Sequence, residues 1–174
     1  MSYTNGLDDP SAFFQTALWT GNGASSRALV NDGNSNLQTD FVWIKDRSAG
    51  YHHILGDSTR GSAKKLTSDG SYAENQSGEL NTSYGYVDTF DTNGFTLGGG
   101  SLQVNKSSNS YVAWQWKANG GTTASNTDGS ITSTVQANTT AGFSIVTYTG
   151  TGSAATVGHG LGGTPDFIQQ NLGM

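Results

Sequence analysis

Carboxylates, imidazoles and indoles are the residues of this chain that could do chemistry, and their spacing decides which chemistry is open. Asp91-Thr92-Asn93-Gly94 and Asn126-Thr127-Asp128-Gly129 have the opening of a calcium loop. An EF-type loop closes on a Glu about six residues after its Gly. Those positions hold Gly100 and Val135, so both stretches are expected to be hairpin turns, and no metal ligand is assigned. His52, His53 and His159 are the three histidines. Neighbours on a strand point to opposite faces, so His52 and His53 cannot readily share one ion. His159 sits between glycines in what reads as a turn. Glycoside hydrolysis needs two carboxylates about 5–10 Å apart. Glu74 and Glu79 fall in the polar stretch 71–83, while Asp88 and Asp91 flank a strand end, and neither pair is marked out by its surroundings. The chain contains no Gly-x-Ser-x-Gly nucleophile elbow. No catalytic residue and no cofactor is expected.

The aromatic residues are more suggestive. Trp19, Trp43, Trp114, Trp116 and Tyr148, with several Asn, have the chemistry of a sugar platform. The spacing argues for packing instead. In Tyr111–Lys117, residues 112, 114 and 116 are large and apolar, and a period of two places them on one face, toward a core. Tyr84 and Tyr86, with Tyr51 and His159, are the better candidates for contact with a partner or a glycan.

Strands joined by tight turns must position these groups. Gly occurs 25 times and Pro twice, and Thr, Val, Tyr, Phe and Trp are punctuated by Asn-Gly and Asp-Gly, which supply positive φ to hairpins. Strands are predicted at 14–20, 27–31, 41–47, 51–56, 64–67, 84–90, 94–97, 102–104, 111–117, 131–135, 143–149 and 166–169. Phe41–Asp46 has two apolar faces and reads as a central strand. The expected fold is an all-β, antiparallel β-sandwich of jelly-roll or concanavalin/lectin-like type.

A net charge of −5 and no basic run longer than Lys64-Lys65 argue against a nucleic-acid partner. The chain has no cysteine, so no disulfide or thiolate metal site can form. Met1–Phe14 lacks the pattern of a secretory leader, and no apolar run has the length of a membrane span. Membrane insertion is therefore not expected.

The chain repeats itself. Phe14–Gly23 aligns with Phe143–Gly152 at an offset of 129 residues (143 − 14), and Asp40-Phe41-Val42 with Asp166-Phe167-Ile168 at 126 (166 − 40). Residues 1–118 read as a sandwich body, 119–130 as a Gly/Thr/Ser/Asn-rich linker or loop, and 131–174 as a partial second repeat. That repeat is expected to add strands to the body or to a neighbouring subunit, since unpaired edges attract other strands. Phe143, Ile145, Tyr148, Phe167 and Ile168 form the candidate assembly segment.

The stretches WTGNG, DFVWIKDRS, DSTRG, FDTNGFTLGG, YVAWQWKANGG and VGHGLGGTPDFI resemble a repeat domain of marine bacteriophage structural and tail-fibre-like proteins, over about 14–168. The resemblance implies a virion structural protein with no catalytic residue to carry over. Fibre proteins string several units together, and one short chain favours a capsid-exterior decoration or knob at the virion surface, assembled in the host cytoplasm. The implied partners are other virion proteins, the major capsid protein or tail proteins, and a homo-oligomer is compatible with the sequence. Arg47, Arg60, Lys64 and Lys65 are expected on a solvated face, able to meet acidic groups of a shell. The alternative is a tail-fibre or adhesin module that binds host surface glycan; a glycan depolymerase is the remote third.

Overall fold

The computed structural model describes residues 8–76, 78 and 81–171. Eleven strands carry the fold: β1 (Phe14–Thr20), β2 (Arg27–Val30), β3 (Phe41–Asp46), β4 (Ile54–Asp57), β5 (Leu66–Thr67), β6 (Tyr86–Asp91), β7 (Gly94–Gly98), β8 (Ser110–Trp116), β9 (Ala124–Asn126), β10 (Ser133–Asn138) and β11 (Phe143–Tyr148). They form three antiparallel sheets, ordered β1-β8-β3-β4-β5, β2-β7-β6 and β11-β10-β9. The all-β sandwich expected from the turn signals is the observed class. β3 lies in the middle of the five-stranded sheet, as its two apolar faces require.

The five-stranded sheet faces the β2-β7-β6 sheet across one core. Trp19, Val42, Ile44, Ile54, Tyr111 and Ala113 come from the first, and Val87, Phe95 and Leu97 from the second. Tyr111 stacks on Trp19 with centroids 5.2 Å apart, and Phe95 meets the same indole edge-on at 6.2 Å. Both polar handles are satisfied, as buried Trp and Tyr require. Trp19 Nε1 donates to the Val104 carbonyl at 3.2 Å, and the Tyr111 hydroxyl accepts from Lys106 N at 2.9 Å. Burial pushes the Tyr111 phenol well above its ordinary pKa. Beyond the aromatic end the inner face turns polar. Gln115 and Asn31 exchange two amide hydrogen bonds (2.7 and 3.1 Å), and Thr39 donates to Gln115 at 2.8 Å. Such groups are tolerated inside because they satisfy one another.

The register overturns one sequence expectation. Tyr111, Ala113 and Gln115 are the buried set of β8, while Val112, Trp114 and Trp116 lie on the outer face, half-buried. The alternation was right but its phase was inverted: a tyrosine, an alanine and a hydrogen-bonded glutamine fill the interior in place of two indoles.

Other differences have local causes. β4 starts at Ile54, not Tyr51, because the His53 amide bonds the Asp69 carboxylate (3.1 Å) rather than a strand neighbour. Residues 102–104 are a turn, folded back by Val104 N and Asn105 N onto the Ser101 carbonyl. Residues 166–169 lie outside any strand. Their counterpart β3 is held between β4 and β8, and the described residues supply no such neighbours to the second copy.

Lys65 was expected in solvent and is buried at 1% exposure, its ammonium bonded to the Asn81 and Gly85 carbonyls and to Gln103 Oε1. Arg60 is tied to Asp57 (2.6 Å) and Glu74 (3.0 Å), whereas Arg47 is exposed.

Candidate interaction face

The 119–130 segment, read as a linker or loop, contains β9 and is tied to the body at its start. Gly120 and Gly121 take positive φ (63° and 78°), a conformation that costs glycine least. Their amides, with that of Ala118, then converge on the fully buried carboxylate of Asp40, at 2.8–2.9 Å. Ser58 Oγ completes its shell at 2.8 Å. Gln136 of β10 joins the same hub: its Oε1 accepts from Asn119 N (3.1 Å) and Gly121 N (2.8 Å), and its Nε2 donates to Ser58 and Thr59. Asp40 and Gln136 thus join the starts and ends of three strands of the body to the third sheet.

Among the described residues, 131–171 add no strand to either body sheet; β10 pairs with β9 on one side and with β11 on the other. The third sheet docks through one face of side chains. Phe143 stacks on Trp116 (5.9 Å, 18° between planes) and tilts against Phe41 at 6.0 Å. Asn138 Nδ2 donates to the Ala118 carbonyl at 3.2 Å. Phe14, the repeat counterpart of Phe143, contacts the same indole from the other side of the row, at 5.0 Å. Trp116 is therefore the seat of equivalent phenylalanines from both copies of the repeat.

The outer face of the five-stranded sheet is consequently an aromatic surface, ordered by the strand register. One row runs Phe14–Trp116–Phe41 across β1, β8 and β3. The next runs Thr16–Trp114–Trp43–Leu55, and the third Leu18–Val112–Lys45. In the first row Phe143 covers Trp116 and Phe41, and Phe14 stays exposed. In the second, Trp43 and Trp114 meet edge to face at 5.9 Å and stay half-buried. Leu18, in the third, is 69% exposed. Trp43, His53, Ser68 and Asp69 form one side of an open groove whose other side is residues 167–171.

Residues 9–172 match the family described as Domain of unknown function (DUF7483). The chain belongs to that family. No curated protein and no solved structure matches the chain.

Within this family member, the four candidate contact residues are dispersed. Tyr84 closes a 3-10 turn (Thr82–Tyr84), and Tyr86 opens β6 with its ring against Gly98 and Gly99; both are half-buried. Tyr51 lies between β3 and β4, beneath the Lys106 ammonium at 5.7 Å. His159 caps its own turn, Nδ1 accepting from Leu161 N at 3.2 Å. The assembly segment divides. Phe143 and Ile145 are spent on packing within the chain, Tyr148 accepts a hydrogen bond from Gln170, and Phe167 and Ile168 stand 76% and 74% exposed.

The remaining candidates for chemistry are committed to structure. Asp91 accepts from Thr89 and Thr96 within the β6–β7 hairpin, and Asn126 bonds Asp128 across its turn. Glu74 pairs with Arg60 and Lys64, Asp88 accepts from Ser62, and Glu79 lies outside the described residues. Among the described residues no group of three or more His, Asp or Glu could hold a metal ion, and no helix is long and apolar enough to cross a membrane.

Proposed function

We propose that this chain is a non-enzymatic structural protein of a bacteriophage virion surface, held on other virion proteins as a capsid-exterior decoration or knob. One observation carries the reading. Phe167 and Ile168 are the repeat counterparts of Phe41 and Val42, which begin the central strand of the body. In the second copy they are the two most exposed large apolar residues described. Adjacent exposed apolar side chains mark contact sites on soluble proteins. Specific docking buries on the order of 1,000 Å² and centres on such anchors. The resemblance to marine phage structural repeats supports the same role, and the cross-linked three-sheet body gives it a rigid platform.

The test is sedimentation of the purified chain with particles that lack it. Wild type is expected to co-sediment at saturable stoichiometry. The double variant Phe167→Ser/Ile168→Ser is expected to keep its unfolding midpoint, because exposed substitutions change stability by about 0.5 kcal/mol or less, and to lose co-sedimentation. Undiminished binding by a folded double variant contradicts the proposed anchor.

A further inference from the structure

The groove between Trp43 and the C-terminal segment is lined by Phe167 and Ile168 too, and it has polar features that docking through those two does not use. It is a shallow, open groove with a volume of about 530 Å³. One wall offers the half-buried Trp43 indole, with the His53 ring 6.3 Å away. Beside them stands Asp69, with Ser68 next to it in the chain. Its carboxylate is held in place by His52 Nδ1 at 3.2 Å and by the His53 amide at 3.1 Å. The facing wall carries the amide side chains Gln169, Gln170 and Asn171. An independent feature marks the same place. The Trp43 indole N–H is buried without a hydrogen-bond partner, a condition that costs about 1–3 kcal/mol. That nitrogen has no surface open to the groove, so a ligand oxygen reaches it only with a shift of the indole or of the facing segment.

We propose that this groove binds a neutral hexopyranose unit of a polysaccharide. An aromatic wall suits the apolar face of a pyranose ring, while an oriented carboxylate and a row of amides suit its hydroxyls, each of which both donates and accepts. Charge selects among sugars. Asp69 lines the groove and the chain carries −5 overall, so a uronate or another anionic sugar meets like charge, whereas a neutral ring does not. The inference shares Phe167 and Ile168 with the assembly reading, but the outcomes separate: a chain that docks on particles yet binds no sugar loses only the groove, and the reverse result loses only the docking anchor.

The test is a titration of the ¹⁵N-labelled full chain, followed at its indole N–H resonances, with the methyl glycosides of glucose, galactose and mannose. Methyl glucuronide serves as the charge control. At least one neutral glycoside is expected to shift the Trp43 resonance saturably, with a Kd of about 1–10 mM, and to leave that of core Trp19 in place. Asp69→Ala, at an exposed position, should weaken binding by about tenfold while the remaining spectrum keeps its dispersion. Three results overturn the proposal: no saturable shift with any neutral glycoside, equal affinity in the Asp69→Ala chain, or tighter binding of the glucuronide.

Discussion

Asp40 concentrates more structural work than any other carboxylate described. Both of its oxygens are filled: Ser58 and Gly121 donate to Oδ1, and Ala118 and Gly120 to Oδ2. A buried carboxylate is tolerable when charge-assisted hydrogen bonds replace its water. Asp40→Ala strands the Ala118 and Gly120 amides and leaves Gly121 N to Gln136 alone; the expected cost is about 3 kcal/mol, read as a lower urea midpoint with an unchanged slope. Asp40→Asn should also destabilise, because its NH₂ must face N–H or O–H donors at one of the two oxygens. A midpoint within about 0.5 kcal/mol of wild type would contradict this role. The hub left a trace in the sequence, since Asp-Phe-Val and Asp-Phe-Ile recur at equivalent places in the repeat. Its function as an amide receptor was not legible, because the amides come from a stretch 80 residues away whose Gly-Gly dipeptide reads equally well as a flexible joint.

Among the elements, local chemistry was the most readable. β1 runs from Phe14 to Thr20, the span expected of it, and Asp91–Gly94 forms the hairpin that Asn-Gly demands. The phase of β8 was not readable from the strand alone. Its two faces, Tyr-Ala-Gln and Val-Trp-Trp, differ in apolarity in the wrong direction. What decided between them was the surroundings: Trp19 of neighbouring β1, Phe95 of the facing sheet and the Asn31 amide after β2 fit Tyr111, Ala113 and Gln115. β9 escaped prediction because an alanine and two polar residues carry no pattern, and only pairing with β10 makes them a strand. The third sheet rests on the body through Gln136, Asn138 and Phe143, so its local stability should depend on them. Gln136→Ala removes four hydrogen bonds of 3.1 Å or shorter and is expected to accelerate amide hydrogen exchange in β10 and β11 while the core strands β3 and β8 keep their protection. Equal acceleration in β3 and β8 would show that the third sheet does not open on its own.

For the whole molecule, the sequence repeat and the fold tell one story. The first copy closes its sandwich. The second lays β11 beside β10, seats Phe143 on the indole that Phe14 also touches, and ends its described part with Phe167 and Ile168 in solvent. Three of the four indoles consequently lie on the outer side of the large sheet, where they can serve recognition, and one holds the core. An outward aromatic face beside two exposed apolar anchors suits a protein that works by contact area, and the Trp43 groove, which those anchors also line, is the proposed sugar site. Cryo-electron microscopy of a bacteriophage particle produced with this chain tests the proposed function at its root. The expected map shows many symmetry-related copies on the outer surface, with residues 167–168 of each against an underlying virion protein. Particles that lack the chain, or copies seated with Phe167 and Ile168 facing solvent, would contradict it.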